Sequence, residues 1–165
     1  MEKSWGFTLI EIVFYIAIMA TLAFASFLVL NIINQAELKN RTVSEVEYQG
    51  LKYIEILSQE IRNSIAIDSF TDNSLVLRVD DPMRNPVEFT FIDGNIYLQE
   101  GLQEANKLNN SMISVTPMFF KNNSISGEYD SIRLSLKVFY NNVGGRSEYD
   151  YSKIFYVTAS TRQKK

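Results

Sequence analysis

The chain has 165 residues, 46% of them apolar and 21% charged, with a formal net charge of -3 and both signs interspersed. This suits one folded domain of ordinary size with an appended segment, and no basic block marks a nucleic-acid partner. Histidine and cysteine are absent, which excludes Ser-His-Asp and Cys-His nucleophiles, zinc sites built on those ligands, Fe–S clusters and disulfides.

The chain opens with Met1-Glu2-Lys3-Ser4-Trp5-Gly6, continues with Phe7-Thr8-Leu9-Ile10-Glu11, and then runs apolar to about Ile33. Between Ile12 and Leu30 there is no formal charge, and the only polar groups are Thr21, Ser26 and the hydroxyl of Tyr15. About twenty apolar residues suffice for a helix to span a bilayer. Glu11 is out of place in such a helix. A carboxylate near the bilayer centre costs about 2.5 kcal/mol or more and usually marks function with a specific partner. If the chain were cut between Gly6 and Phe7, Phe7 would carry a new α-amino group. Glu11 of one subunit would then pair with the amine of its neighbour.

Gly6-Phe7-Thr8-Leu9-Ile10-Glu11 followed by an apolar helix resembles the class III signal of type IV pilins and type II secretion pseudopilins. The close resemblance covers roughly residues 1–35. It implies a leader, residues 1–6, removed by prepilin peptidase after Gly6, N-methylation of Phe7, and a subunit-docking role for Glu11. It also implies that residues 7–33 form a transmembrane and filament-core helix, and residues 34–165 a pilin-like domain outside the cytoplasm. The partners implied are other pilin or pseudopilin subunits, an inner-membrane assembly platform and the membrane itself, crossed once. Many major pilins carry Gly and Pro midway along this helix. Ala20 and Leu28 stand there in this chain, so a continuous helix is expected. Two rival readings exist. Ala23-Phe24-Ala25 makes an ordinary secretory cleavage site, but the apolar run contains Glu11 and passes beyond it. An uncleaved signal anchor leaves both Gly6-Phe7 and Glu11 unexplained.

Beyond Ile33 the pattern turns amphipathic. Val43, Val46, Gly50, Ile54, Leu57, Ile61 and Ile65 recur at spacings of three and four, which predicts helix to about Ala66. At ~1.5 Å per residue, a helix from Phe7 would be roughly 90 Å long. Gly50 weakens it by about 1 kcal/mol against Ala, and a strand approaching closely explains it better than a hinge does. From Leu75 the period changes to two. Strands are predicted at 74–79, 87–92, 96–99, 112–120, 132–140 and 149–159, with Asp93-Gly94-Asn95 turning a hairpin and Pro117 marking an edge or bulge. The expected fold is α+β, pilin-like, with the second half of the long helix (34–66) packed on an antiparallel sheet (74–160). Residues 101–110 and 121–130 read as exposed loops suited to partner contacts.

No constellation calls for catalysis, and the expected product is a structural subunit, not an enzyme. Glu45 with Glu47 and Glu100 with Glu104 read as surface carboxylates. No cofactor is expected. Calcium is bound by loop oxygens in some pseudopilins, but Asp68, Asp72, Asp80 and Asp81 lack EF-hand spacing and read as solvated turn residues. Tyr149, Tyr151, Lys153 and Phe155 make an aromatic-basic row. Core or subunit interface accounts for it better than nucleic-acid stacking. Leu57-Ser58-Gln59-Glu60-Ile61-Arg62-Asn63-Ser64 and the Phe91–Asn95 hairpin are similar to minor pilins of the W type and pseudopilins of the J type. The alternatives in other classes are a tip adhesin or DNA-binding pilin acting through the two loops, and a membrane-anchored or secreted binding domain.

Overall fold

The structure, a computed structural model, describes residues 8–122 and 130–162, without the side chains of 119–122. Among the described residues one helix, α1 (Leu9–Asn63), is followed by strands and a short 3-10 turn. Strands β1 (Ala66–Phe70), β2 (Ser74–Arg78), β3 (Val87–Ile92), β4 (Asn95–Glu100) and β5 (Asn106–Lys107) form one antiparallel sheet in chain order. Strands β6 (Ile113–Asn122), β7 (Ser131–Tyr140) and β8 (Ser152–Ser160) form a second, also antiparallel and in chain order. The architecture is the expected α+β one, with two sheets in place of one.

The chain divides into two compact units, one up to Asn40 and one from Arg41 onward. In the first, every described residue from Thr8 to Glu37 is exposed. In the second, one face of α1 is buried at Val46, Gly50, Tyr53, Leu57 and Ile61, the i, i+3/i+4 spacing of a helix stripe. These side chains share a single apolar core with residues such as Leu75, Phe89, Ile96, Val115, Leu134 and Phe155 from both sheets. The stripe is rotated slightly from the expected one. Tyr53 is fully buried and Ile54 only partly so. Tyr53 is tolerated there because its hydroxyl donates to Gln49 Oε1 (3.0 Å).

The helix stops three residues earlier than its apolar period suggests. Ser64 is buried and its hydroxyl donates to the Ile61 carbonyl (2.7 Å), one of the carbonyls a helix end leaves open. Ile65 N–H then donates to Arg78 O (2.8 Å), which starts the first sheet. Residues 66–70 therefore form β1, an element the sequence pattern did not predict. The β3–β4 hairpin forms as expected on Asp93 (φ 50°) and Gly94 (φ 74°). Two successive positive φ values give the type I′ turn whose twist matches paired strands. The register of β6 shifts between Pro117 and Phe119, so Pro117 sits at a bulge. The last strand starts at Ser152 rather than at Tyr149, which belongs to a 3-10 turn (Ser147–Tyr149).

Gly50 is where α1 meets β8 most closely. A Cβ there would lie 2.1 Å from Phe155 Cε2. Phe155 is itself 7% exposed, so its ring has little room to withdraw. Overpacking of this kind costs about 1–3 kcal/mol, against the roughly 1 kcal/mol that Ala gains in helix propensity. Gly50→Ala is expected to lower the thermal unfolding midpoint of the chain in detergent micelles. In a Phe155→Leu background the same substitution should be neutral or stabilising. An equal loss in both backgrounds would place the cause elsewhere than the ring.

Candidate functional site

Glu11 lies in the first turn of α1, where three hydrogen bonds tie it to Thr8. Its Oε2 accepts from Thr8 N–H (3.1 Å) and from the Thr8 hydroxyl (3.1 Å), while its own N–H donates to Thr8 Oγ1 (3.4 Å). Thr8 immediately precedes the first helical residue. Thr8-Leu9-Ile10-Glu11 is thus a capping box, in which the N-cap and the third helical residue satisfy each other's open donors. The docking role expected for Glu11 does not account for these bonds, whereas the Thr-x-x-Glu spacing before an apolar run does. Oε1 accepts no hydrogen bond from the described residues. Gly6 and Phe7, the processing residues, lie outside the described residues.

Past this cap, the helix surface is apolar on all sides. Leu9 is 83% exposed and Phe24 64% exposed. The polar side chains fold back on the helix. Thr21 Oγ1 donates to Ile18 O (2.8 Å) and Ser26 Oγ to Leu22 O (2.9 Å), so each hydroxyl donor is satisfied within the helix. The helix is long and apolar enough to cross a membrane, and none of its most hydropathic window is buried within the chain. The segment is compatible with single-pass membrane anchoring.

The carboxylates of the second unit serve as ties between elements. Glu45 accepts from Gln49 Nε2 (3.0 Å) and from Asn110 Nδ2 (2.8 Å). Glu47 accepts from the Tyr151 hydroxyl (2.9 Å) and from Lys153 Nζ (2.6 Å to Oε2). At the other end of the helix, Arg84 Nη2 donates to Glu100 (2.7 Å) and Glu60 (3.0 Å). Glu45, Glu47 and Glu100, read from the sequence as plain surface groups, each bond to a distant segment: Glu45 on α1 to Asn110, Glu47 on α1 to Lys153 of β8, and Glu100 on β4 to Arg84. The aromatic-basic row is engaged in the same way. Tyr151 and Lys153 are bound to Glu47, Phe155 packs at Gly50, and Tyr149 stacks on Tyr140 with ring centroids 5.4 Å apart.

The four aspartates considered for calcium do not converge. Asp68 pairs with Arg78, Asp81 Oδ1 accepts from Met83 N–H (2.9 Å) in a turn, and Asp80 faces Arg162 at 3.7 Å. Among the described residues no group of three or more potential ligands comes together. In the 101–110 segment, Asn106–Lys107 pair with β4, contrary to a plain loop, and Leu102 is fully exposed. Most of the 121–130 segment lies outside the described residues. Comparison with protein-family models, with curated proteins and with solved structures finds no match.

The bonds from Lys153 and then Tyr151 hold the Glu47 carboxyl below its ordinary range. The same carboxylate raises Lys153 and Tyr151. A depressed carboxyl stabilises the fold above its unfolded pKa and loses that contribution as pH falls through the folded value; a raised lysine contributes below its unfolded pKa and loses it as pH rises through the folded one. The clasp should therefore contribute evenly between about pH 5 and pH 10 and fade on both sides. Glu47→Gln is expected to lower stability on that plateau and to flatten the acid limb. Urea midpoints measured against pH in micelles check this. An unchanged acid limb would mean that Glu47 gains nothing from its partners.

Proposed function

We propose that this chain is a structural subunit, not an enzyme, of a type IV pilin-like filament or pseudopilus. The observation that carries the reading is the run Gly6-Phe7-Thr8-Leu9-Ile10-Glu11 leading in sequence into an apolar helix whose most hydropathic window is not buried among the described residues. Such a surface requires lipid or the helices of other subunits. In this proposal prepilin peptidase cuts after Gly6 and methylates Phe7, and the chain waits in the cytoplasmic membrane with its β-rich unit outside. It then leaves the bilayer for a filament core built from like helices. The loose similarity of the helix end and hairpin to minor subunits of the W and J types supports a minor rather than a major subunit.

Glu11 carries the docking step. Its Oε2 is occupied in capping, and Oε1 is available to a neighbour's N-terminal amine. Glu11→Gln retains an oxygen for the cap and removes the charge, whereas Glu11→Ala removes both. Both variants are expected to be cleaved normally and to enter filaments poorly, as read by immunoblots of sheared filament fractions. Wild-type incorporation of the Gln variant would reduce Glu11 to a helix cap.

The class itself is tested by the mass of the mature N-terminal peptide from membranes with and without prepilin peptidase. A peptidase-dependent start at methylated Phe7 is expected. A start at Ser26 would mean ordinary signal cleavage, and an intact Met1 a plain anchor.

A further inference from the structure

Strand β8 is the last strand of its sheet, and among the described residues it pairs only with β7. It is nine residues long, with a register free of bulges and a sequence free of proline. Natural edge strands usually carry such interruptions, or a charge that discourages pairing. The one charged residue within β8 is Lys153, and Glu47 draws it toward α1.

The direction of the free backbone groups follows from the ladder. Tyr140 N–H donates to Tyr151 O (3.1 Å) and Thr161 N–H to Asp130 O (2.8 Å), one pair just beyond each end of β8 and both in the β7–β8 register. Bonded residues alternate in an antiparallel pair. Lys153, Phe155, Val157 and Ala159 therefore bond to β7, and Ile154, Tyr156 and Thr158 turn N–H and C=O away from it. Arg162, later in the same outward series, donates its N–H to Ser64 O (2.9 Å), which closes that end. Among the described residues, nothing pairs with the outward groups of Ile154, Tyr156 and Thr158.

A cation stands beside this edge. Arg133 on β7 lies opposite Thr158, and its Nε donates to Thr158 Oγ1 (3.3 Å), which carries the guanidinium toward the edge. Arg133, Tyr156, Val157 and Thr158 line a shallow recess there. Lys137 lies opposite Ile154 on the same outer face. Neither cation forms an ion pair with a described residue. We infer that the β8 edge accepts an extended, acidic segment of another protein as an added strand, its main chain bonding to Tyr156 and Thr158 and a carboxylate pairing with Arg133. Main-chain bonds supply affinity in such strand addition, and side chains supply specificity. The charge argues against a second copy as occupant. Antiparallel β8–β8 pairing centred on Tyr156 sets Ile154 opposite Thr158, and so brings Lys137 of one copy toward Arg133 of the other with no carboxylate between them.

The test uses the full chain in detergent micelles and a synthetic peptide of alternating Val and Thr with one central Glu. Controls carry Lys in place of Glu, or N-methyl groups on alternate residues. The Glu peptide is expected to bind and to slow amide exchange at Ile154, Tyr156 and Thr158 while leaving Lys153, Phe155 and Val157 unchanged. The N-methylated peptide should not bind. Arg133→Glu should weaken the Glu peptide by about tenfold or more, the loss expected for a hydrogen-bonded charge, and should favour the Lys peptide. Tyr156→Pro removes an outward N–H without breaking the β7 ladder and should abolish binding with the fold intact. Absence of binding, equal affinity for the Glu and Lys peptides, or unimpaired binding by Tyr156→Pro would each overturn the inference. Protection of the outward amides together with a dimeric mass before peptide is added would also overturn it, because the occupant would then be a second copy.

Discussion

Burial of one face of α1 is the constraint on which the second unit depends. With no disulfide available to a chain that lacks cysteine, its two sheets and the helix hold together through a shared core. Val46, Tyr53, Leu57 and Ile61 are completely buried there with residues from β2, β3, β4, β6, β7 and β8. Each sheet is a simple meander and leaves an apolar face that its own strands cannot cover. The helix supplies the missing layer. Gly50 belongs to this requirement, since the ring of Phe155 occupies the space a side chain would take.

Polar contacts fix the register of that apolar packing. Glu47 with Tyr151 and Lys153 ties an early turn of the packed helix to β8, while Glu60 with Arg84 and Glu100 ties a late turn to the end of β4. Ion pairs that keep contact with solvent contribute little each. Apolar burial therefore supplies most of the stability, and the pairs add to the register that Gly50 and Phe155 already specify. Buried Asn109 acts similarly within the sheets. It accepts from Ile96 N–H (3.1 Å) and donates to Ile113 O (2.6 Å), joining the β3–β4 hairpin to the start of β6.

Much of this was legible because the hydrophobic period changes so sharply along the chain. The all-apolar stretch, the helical stripe and the alternation of Ile132 through Tyr140 each match one element, and Asp93-Gly94 and Pro117 punctuate where turn chemistry requires. What escaped prediction depends on tertiary context. Ile65 and Ala66 continue the helical period, but Ser64 ends the helix and Arg78 captures the next N–H. Ile54 outranks Tyr53 in apolarity, yet Gln49 is placed to accept the hydroxyl. Asn106–Lys107 has no strand pattern and pairs only because β4 offers an edge. The division into two sheets leaves no trace in local periodicity. Of the candidate site, Glu11 stood out by its charge. Its bond to Thr8 is legible in the Thr-x-x-Glu spacing, a local signal that involves no distant partner.

That local bond changes how the acidic first turn should be understood. A carboxylate in hydrocarbon is costly, and so are the open N–H groups at the start of a helix that water does not reach. Placing the carboxylate three residues after Thr8 sets these two costs against each other, because Oε2 satisfies donors that would otherwise be unpaired. The first turn thus satisfies its acid locally, and among the described residues Oε1 accepts no donor. In the proposed subunit this makes docking an addition to a satisfied cap rather than the rescue of an orphaned charge. The free energy available to select one register over another is then the smaller quantity, the exchange of one oxygen's surroundings for an amine. A smaller selecting term suits a subunit that has to leave the membrane as well as enter a filament.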